Sequence, residues 1–471
     1  GYDVAGYAFN LDDNSGLSIT GPVSAASASL ASTGSLDVSG SINTNGALTL
    51  SGSSLLLGGL IDSASVLALQ SPGSITGTGT IIAADLTSGT ITDGNVQLTG
   101  GFNSIGGIAT LASDGSFAAG TFDLTDQIAL GGGSLTANVV TLVAPSIDFT
   151  GYVTATSLLA LDPPVSGNIT QTSGAITTAL LTSDNATDGN VILTSAGNSI
   201  AALGSFSAIS LDLADATALS VTGPVSLSGN ATLSAASIDF AGSLSSANLS
   251  LTSLGSITES SGAITTGTLS GGAVGNVVLN GSANTIATLG SFTAPGLNLT
   301  DHGSLNIAGN VSIGNLLELA GISGGVTQSS GTLSAGTLAS LGSLGGDVIL
   351  TDVGNNIGTL GGFTLSGNAL DLVDGSALTI AGPVLASNAS LTAAAIDLTG
   401  SIFTATDLTL TNTGPGGMTL AGLASVGSGL SLASDGNVSE NGTLIAATLT
   451  GSASNGNVAL TSGNNNIGTL G

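Results

Sequence analysis

The sequence predicts an all-β protein, a parallel β-solenoid drawn out as one continuous rod. Three observations predict it. Apolar and polar residues alternate with period two over short runs, and Gly, Asn, Asp and Ser separate those runs. One phrase then recurs five times, in strict register, along the 471 residues.

The alternation is clearest at Ala47-Leu48-Thr49-Leu50-Ser51, at Ala247-Asn248-Leu249-Ser250-Leu251-Thr252 and at Asp407-Leu408-Thr409-Leu410-Thr411. Aliphatic residues facing one way and Ser or Thr facing the other make a half-buried strand. The residues between the runs tolerate tight turns. No window carries sustained helical spacing, so strands are expected throughout, with Gly and Asn at the corners.

The phrase is Gly-Asn-Val-x-Leu-Thr, then Asn-x-Ile, then a Leu-Gly-x-Phe-type turn. It starts at Gly94, Gly189, Gly275, Gly346 and Gly456. Asn103, Asn198, Asn284, Asn355 and Asn465 each follow their anchor (Asn95, Asn190, Asn276, Asp347, Asn457) by eight residues. Such self-similarity marks a repeat architecture. The anchors lie 95, 86, 71 and 110 residues apart. Those intervals are too unequal for propeller blades and too long for one coil, so each block holds several coils. The blocks are 1–93, 94–188, 189–274, 275–345, 346–455 and 456–471. A coil of roughly 18–25 residues gives on the order of 20 coils and a rod about 100 Å long.

Further columns repeat with the blocks. Leu-Asp-Leu-x-Asp turns stand at Leu211–Asp215 and Leu370–Asp374, with variants at Phe122–Asp126, Leu297–Asp301 and Phe9–Asp13. Gly-Pro-Val follows at Pro22, Pro224 and Pro383, and Ile-Asp-Phe at Ile147 and Ile238. The fifth copy of the phrase runs off the C-terminus and resumes at residue 1. Joined end to end, Asn457 precedes Pro22 by 36 positions (14 to Gly471 and 22 more), the spacing of Asp347 from Pro383. The sequence is therefore expected to be one period of a longer object, either a segment of a tandem-repeat protein or a chain that stacks head to tail. The absence of an initiating Met agrees with a segment or a processed chain. The junction between periods is expected at Gly1, Tyr2, Tyr7, Phe9, Leu470 and Gly471. Tyr2 aligns with Phe363, while Tyr7 replaces Asn368.

This phrasing resembles the β-strand repeats of large bacterial surface exoproteins of the filamentous-haemagglutinin type, over essentially the whole chain. The resemblance implies a right-handed parallel β-helix. It also implies two-partner or autotransporter secretion with an outer-membrane secretion partner, and a role in adhesion or biofilm. The family's N-terminal secretion domain is not recognisable in the sequence, and the absence of every Lys and Arg departs from many relatives.

Composition narrows the function. The chain has no Lys or Arg against 28 acidic residues, one His, no Cys and 74 Gly. Nucleic-acid binding draws on Lys and Arg to neutralise phosphates, so that class is set aside, and anionic membrane surfaces are disfavoured for the same reason. Without Cys there is no disulfide framework. No signal peptide and no uninterrupted apolar stretch of about 18 residues is visible, so membrane insertion is not expected. Any export signal would lie outside the sequence.

Polysaccharide-acting β-helix enzymes need clustered carboxylates and commonly a cation. Asp212/Asp215 and Asp371/Asp374 have acid–base spacing, but the same pair in several blocks reads as turn-forming Asp capping backbone N–H groups. No catalytic residue is assigned. His302 at a turn reads as surface decoration. No cofactor is expected, and no calcium-binding nonapeptide is present. Weak, diffuse Ca²⁺ attraction at Asp12, Asp13, Asp37 or the Leu-Asp-Leu-x-Asp turns is the most the acidic excess implies. An ice-binding Thr ladder would need one Thr-x-Thr per coil, and Thr76, Thr78 and Thr80 do not recur so. The expectation is an extracellular structural fibre, with an adhesin stalk as the alternative and a polysaccharide-acting enzyme as the weaker one.

Overall fold

Period-two sequences that bury one face must stack that face on something, and here each coil stacks on the next. A computed structural model describes residues 1–88, 94–109, 117–163, 167–183 and 189–471. Among them every regular element is a β-strand, and the registered pairings between successive coils are parallel. No helix among the described residues is long and apolar enough to cross a membrane. The fold is all-β, a parallel β-solenoid.

The chain groups into two compact units, Gly1–Ala236 and Ser237–Gly471. In the first, Leu17 lies beside Leu36, Leu36 beside Leu55 and Leu55 beside Ile75, steps of 19, 19 and 20 residues. The stack continues through Val96, Phe122, Val140, Leu159, Leu181, Leu203 and Val221. In the second unit Ile257, Val277, Leu297, Leu317, Leu338 and Leu360 stack likewise, followed by Ile380, Leu398 and Leu420. Each fully buried aliphatic side chain contributes about 1.5–3 kcal/mol. With no Lys or Arg in the chain, these stacks and the backbone ladders hold each unit together.

The repeated Asn of the phrase stands at a corner, as between strands Asn190–Leu193 and Ser199–Leu203, but it does not make the bend by a left-handed backbone. Asn103, Asn198 and Asn284 are completely buried and Asn355 nearly so. The only described non-Gly residue with positive φ is Ala109. These Asn side chains are wiring instead. Asn198 Oδ1 accepts the Ile176 N–H of the preceding coil at 2.8 Å, and its Nδ2 donates to Ala214 O of the following coil at 3.1 Å. Asn103 joins Ile81 to Thr125, and Asn355 joins Leu333 to Val373, in the same way. Where the coil bends, backbone groups leave the ladder, and a buried unpaired one is costly. A primary amide, donor and acceptor at once, satisfies both sides.

Candidate self-association site: the two terminal turns

The Asp that ends each Leu-x-Leu-x-Asp turn is the partner of this Asn. Ile105, Ile200, Ile286 and Ile357, two residues after the Asn, donate their N–H to the carboxylates of Asp126, Asp215, Asp301 and Asp374 at 2.7–3.1 Å. The residue after each Asp (Gln127, Ala216, His302, Gly375) donates its N–H to the carbonyl of that Asn at 2.8–3.0 Å. Asn-x-Ile on one turn and Asp on the next thus form a two-bond pin. Asp215 and Asp374 therefore cap backbone N–H groups, as their recurrence suggests. Asp212 is exposed and Asp371 half-buried.

Burial raises the Asp126 carboxyl to about 6, while backbone donors from Ile105, Ile128 and Gln127 pull it down. Burial also raises Asp301, opposed by the Ile286, Gly303 and His302 backbone N–H groups and by the nearby His302 charge. The His302 side chain is exposed. Among the described residues no three His, Asp or Glu side chains converge as a metal site. Thr76 stands between Leu56 and Gln97 in its column, so no threonine ladder runs there.

The N-terminal turn is a copy of an internal one. Strand Tyr2–Asp13 places Tyr2 beside Val23 and Phe9 beside Ala28, with a register break between Val4 and Ala8. Within the break Gly6 takes φ +94°, a left-handed value that a residue without Cβ adopts freely. The internal stretch repeats this step for step. Phe363 lies beside Val384, Leu370 beside Ala389, and Gly367 has φ +74°. The environments differ. Phe363 is fully buried under its preceding coil, whereas Tyr2 is 65% exposed and Tyr7 77%. Tyr2 and Phe9 stack on each other, ring centroids 5.3 Å apart. Gly1 runs so close to Pro22 that a Cβ there would come within 2.7 Å of the Pro22 carbonyl oxygen.

At the C-terminal turn, strand Asn466–Leu470 lies on strand Thr443–Ala453 with Leu470 beside Leu449. The Gly471 N–H donates to Leu449 O at 2.9 Å, as Gly361 does to Leu338. Leu470 is 80% exposed, yet its internal equivalent Leu360 is fully buried. Val458, Leu460, Leu449 and Leu470 line an apolar cavity of about 250 Å³ on this turn.

Of the residues expected at the junction, Gly1, Tyr2, Tyr7 and Phe9 share the first turn, and Leu470 and Gly471 the last. Sequence reasoning passed over the pairing of each buried Asn-x-Ile with an Asp of the next turn. The signal that finds it is the recurrence of that Asp 23, 17, 17 and 19 residues after Asn103, Asn198, Asn284 and Asn355.

A repetitive parallel β-solenoid is the class that the fold defines. Compared with family models, curated proteins and solved structures, the chain gives no match in any of the three.

Proposed function

We propose that this chain is a structural β-solenoid that builds an extracellular fibre at a bacterial surface or in a biofilm matrix by continuing its coils end to end. One observation carries the reading. The same coil path recurs along the chain, Tyr2 and Phe9 lying on Val23 and Ala28 as Phe363 and Leu370 lie on Val384 and Ala389, so one coil geometry continues from block to block. The resemblance of the repeats to filamentous-haemagglutinin-type exoproteins supports a secreted surface setting. The excess of carboxylates supports dispersal of so Gly-rich a surface.

The partner in this reading is the protein itself, and no cofactor is required. The solenoid does no chemistry; its backbone ladders and aliphatic stacks carry load along the axis. Electron microscopy of the native material tests it. Unbroken filaments with about 4.8 Å coil spacing and a longer period of roughly 100 Å are expected. Discrete rods ending at about that length would refute the reading and favour an adhesin stalk.

A further inference from the structure

We infer that the corner of the Glu259 coil is a calcium site, with Glu259 Oε1, Asn284 Oδ1 and the Gly262 carbonyl as its protein ligands. The inference is independent of the end-to-end reading.

One core position holds Gln in two blocks and Glu in two others. Gln171, Gln328, Glu259 and Glu440 each end a three-residue strand and meet the Asn of the phrase one coil on. The Gln coils close their bonds. Gln328 Oε1 accepts Asn355 Nδ2 at 2.9 Å, and its Nε2 donates to Asn355 Oδ1 at 2.8 Å and to Gly331 O at 2.9 Å. Gln171 pairs with Asn198 in the same way, and there the Ser195 hydroxyl donates to Gly174 O at 2.7 Å.

The Glu259 coil has neither donor. Glu259 Oε2 accepts Gly281 N–H and Asn284 Nδ2, but the buried Oε1 has no partner among the described residues. Gly281 stands where the Gln171 coil has Ser195, so the hydroxyl that serves Gly174 has no counterpart for Gly262. A Cβ at Gly281 would collide with Glu259 Oε1, so the carboxylate takes the room that this glycine leaves. Where the Gln328 amide sets hydrogens between Asn355 Oδ1 and Gly331 O, the Glu259 coil offers only acceptors.

A buried carboxylate oxygen without a donor needs a positive partner. The chain has no Lys or Arg to supply one, and its formal charge of −28 favours a divalent ion. Carboxylate, side-chain amide and backbone carbonyl oxygens are the ligands calcium takes, with water completing the shell. Ser260 and Ser261, which link Glu259 to Gly262, are exposed, so water reaches this corner. Magnesium suits it less, because it demands near-ideal octahedral geometry and dehydrates reluctantly. Glu440 Oε1 is orphaned too, but its coil has Ser462 in place of Gly281 and Thr443 in place of Gly262. The assignment is therefore made for Glu259 alone.

The test is hydrogen exchange on the full chain, native and E259Q, in calcium and in chelator. E259Q is a sound control because Gln fills the same position in two other coils. The amides to read are Gly281, bonded to Glu259, and Ile264, bonded to Asn284 Oδ1. With a dissociation constant of about 1 mM, about 10 mM calcium should slow both roughly tenfold in the native chain. The Leu333 amide of the Gln328 coil, and all three amides in E259Q, should stay within about twofold of their values in chelator. Slowing confined to Gly281 and Ile264 of the native chain supports the site. Equal slowing in E259Q, or at Leu333, means diffuse attraction to the carboxylates and overturns it. No slowing in the native chain overturns it as well. Equal slowing by magnesium overturns the assignment to calcium.

Discussion

Replacing Glu259 by Gln should stabilise the second unit, although it changes a single atom. Glu259 occupies a core column, beside Phe240, and only 6% of it is exposed. Its Oε2 accepts Gly281 N–H at 2.7 Å and Asn284 Nδ2 at 2.8 Å, while its buried Oε1 has no partner. Gln328 shows what the site accommodates. Its Oε1 takes Asp352 N–H and Asn355 Nδ2, and its Nε2 donates to Asn355 Oδ1 at 2.8 Å and Gly331 O at 2.9 Å. Asn284 Oδ1 already accepts Ile264 N–H, as Asn355 Oδ1 accepts Leu333 N–H, so the E259Q amide meets an acceptor set of the same kind. An unsatisfied buried polar atom costs about 1–3 kcal/mol. E259Q should recover about that much, and amides of Ile264 and Gly281 should exchange roughly 5- to 150-fold more slowly. Local exchange is the right assay because repeat arrays do not unfold as one cooperative block. Gln328→Glu should lose a similar amount around Leu333. If E259Q leaves exchange unchanged and Q328E is also neutral, the orphan oxygen carries no cost and the reasoning fails.

Three other outcomes follow from the same geometry. Asp215→Ala strips Ile200 N–H and Thr217 of their acceptor; hydrogen exchange in the local turn should show about 2–3 kcal/mol of destabilisation, and a loss under 0.5 kcal/mol would mean the pin is ornamental. Leu317→Ala, in the middle of a continuous aliphatic stack, should cost about 2–5 kcal/mol by the same method. Asp126 carries a pH dependence of known sign. Its folded-state carboxyl lies near 6, above the 3.8 of a free side chain. Its contribution is therefore fully present below about 3.8 and is lost as pH rises through about 6. The Ile105 amide, corrected for intrinsic exchange, should be better protected at pH 4 than at pH 7, with Asp126→Asn flattening the change. Protection that rises across that interval would contradict it.

Strand alternation, a coil of roughly twenty residues and the recurrence of the blocks are legible along the chain, though not the exact coil length. Each depends on local period, and period two with turn residues at intervals leaves few other folds. The identity of Tyr2 with Phe363 and of residue 1 with residue 362 is equally a matter of counting, and the register of strand Tyr2–Asp13 on Val23–Ser32 agrees with it. What the sequence alone determined was therefore the repeat and its phase.

The tertiary structure decided which polar residues face inward. Asn198 and Asp215 read as turn formers, because Asn and Asp are common in turns and the line of sequence does not say which backbone groups lose their ladder partner. Only the stacking of one coil on the next shows that Ile176 N–H, Ala214 O and Ile200 N–H are left over and that these two side chains reach them. The contrast between Glu259 and Gln328, one oxygen orphaned and one amide satisfied, is likewise invisible until Asn284 and Asn355 are placed beside them. Local period selects the coil. Hydrogen-bond accounting between coils selects what must sit inside it, and that is a property of neighbours some twenty residues apart in sequence and one strand spacing apart in space.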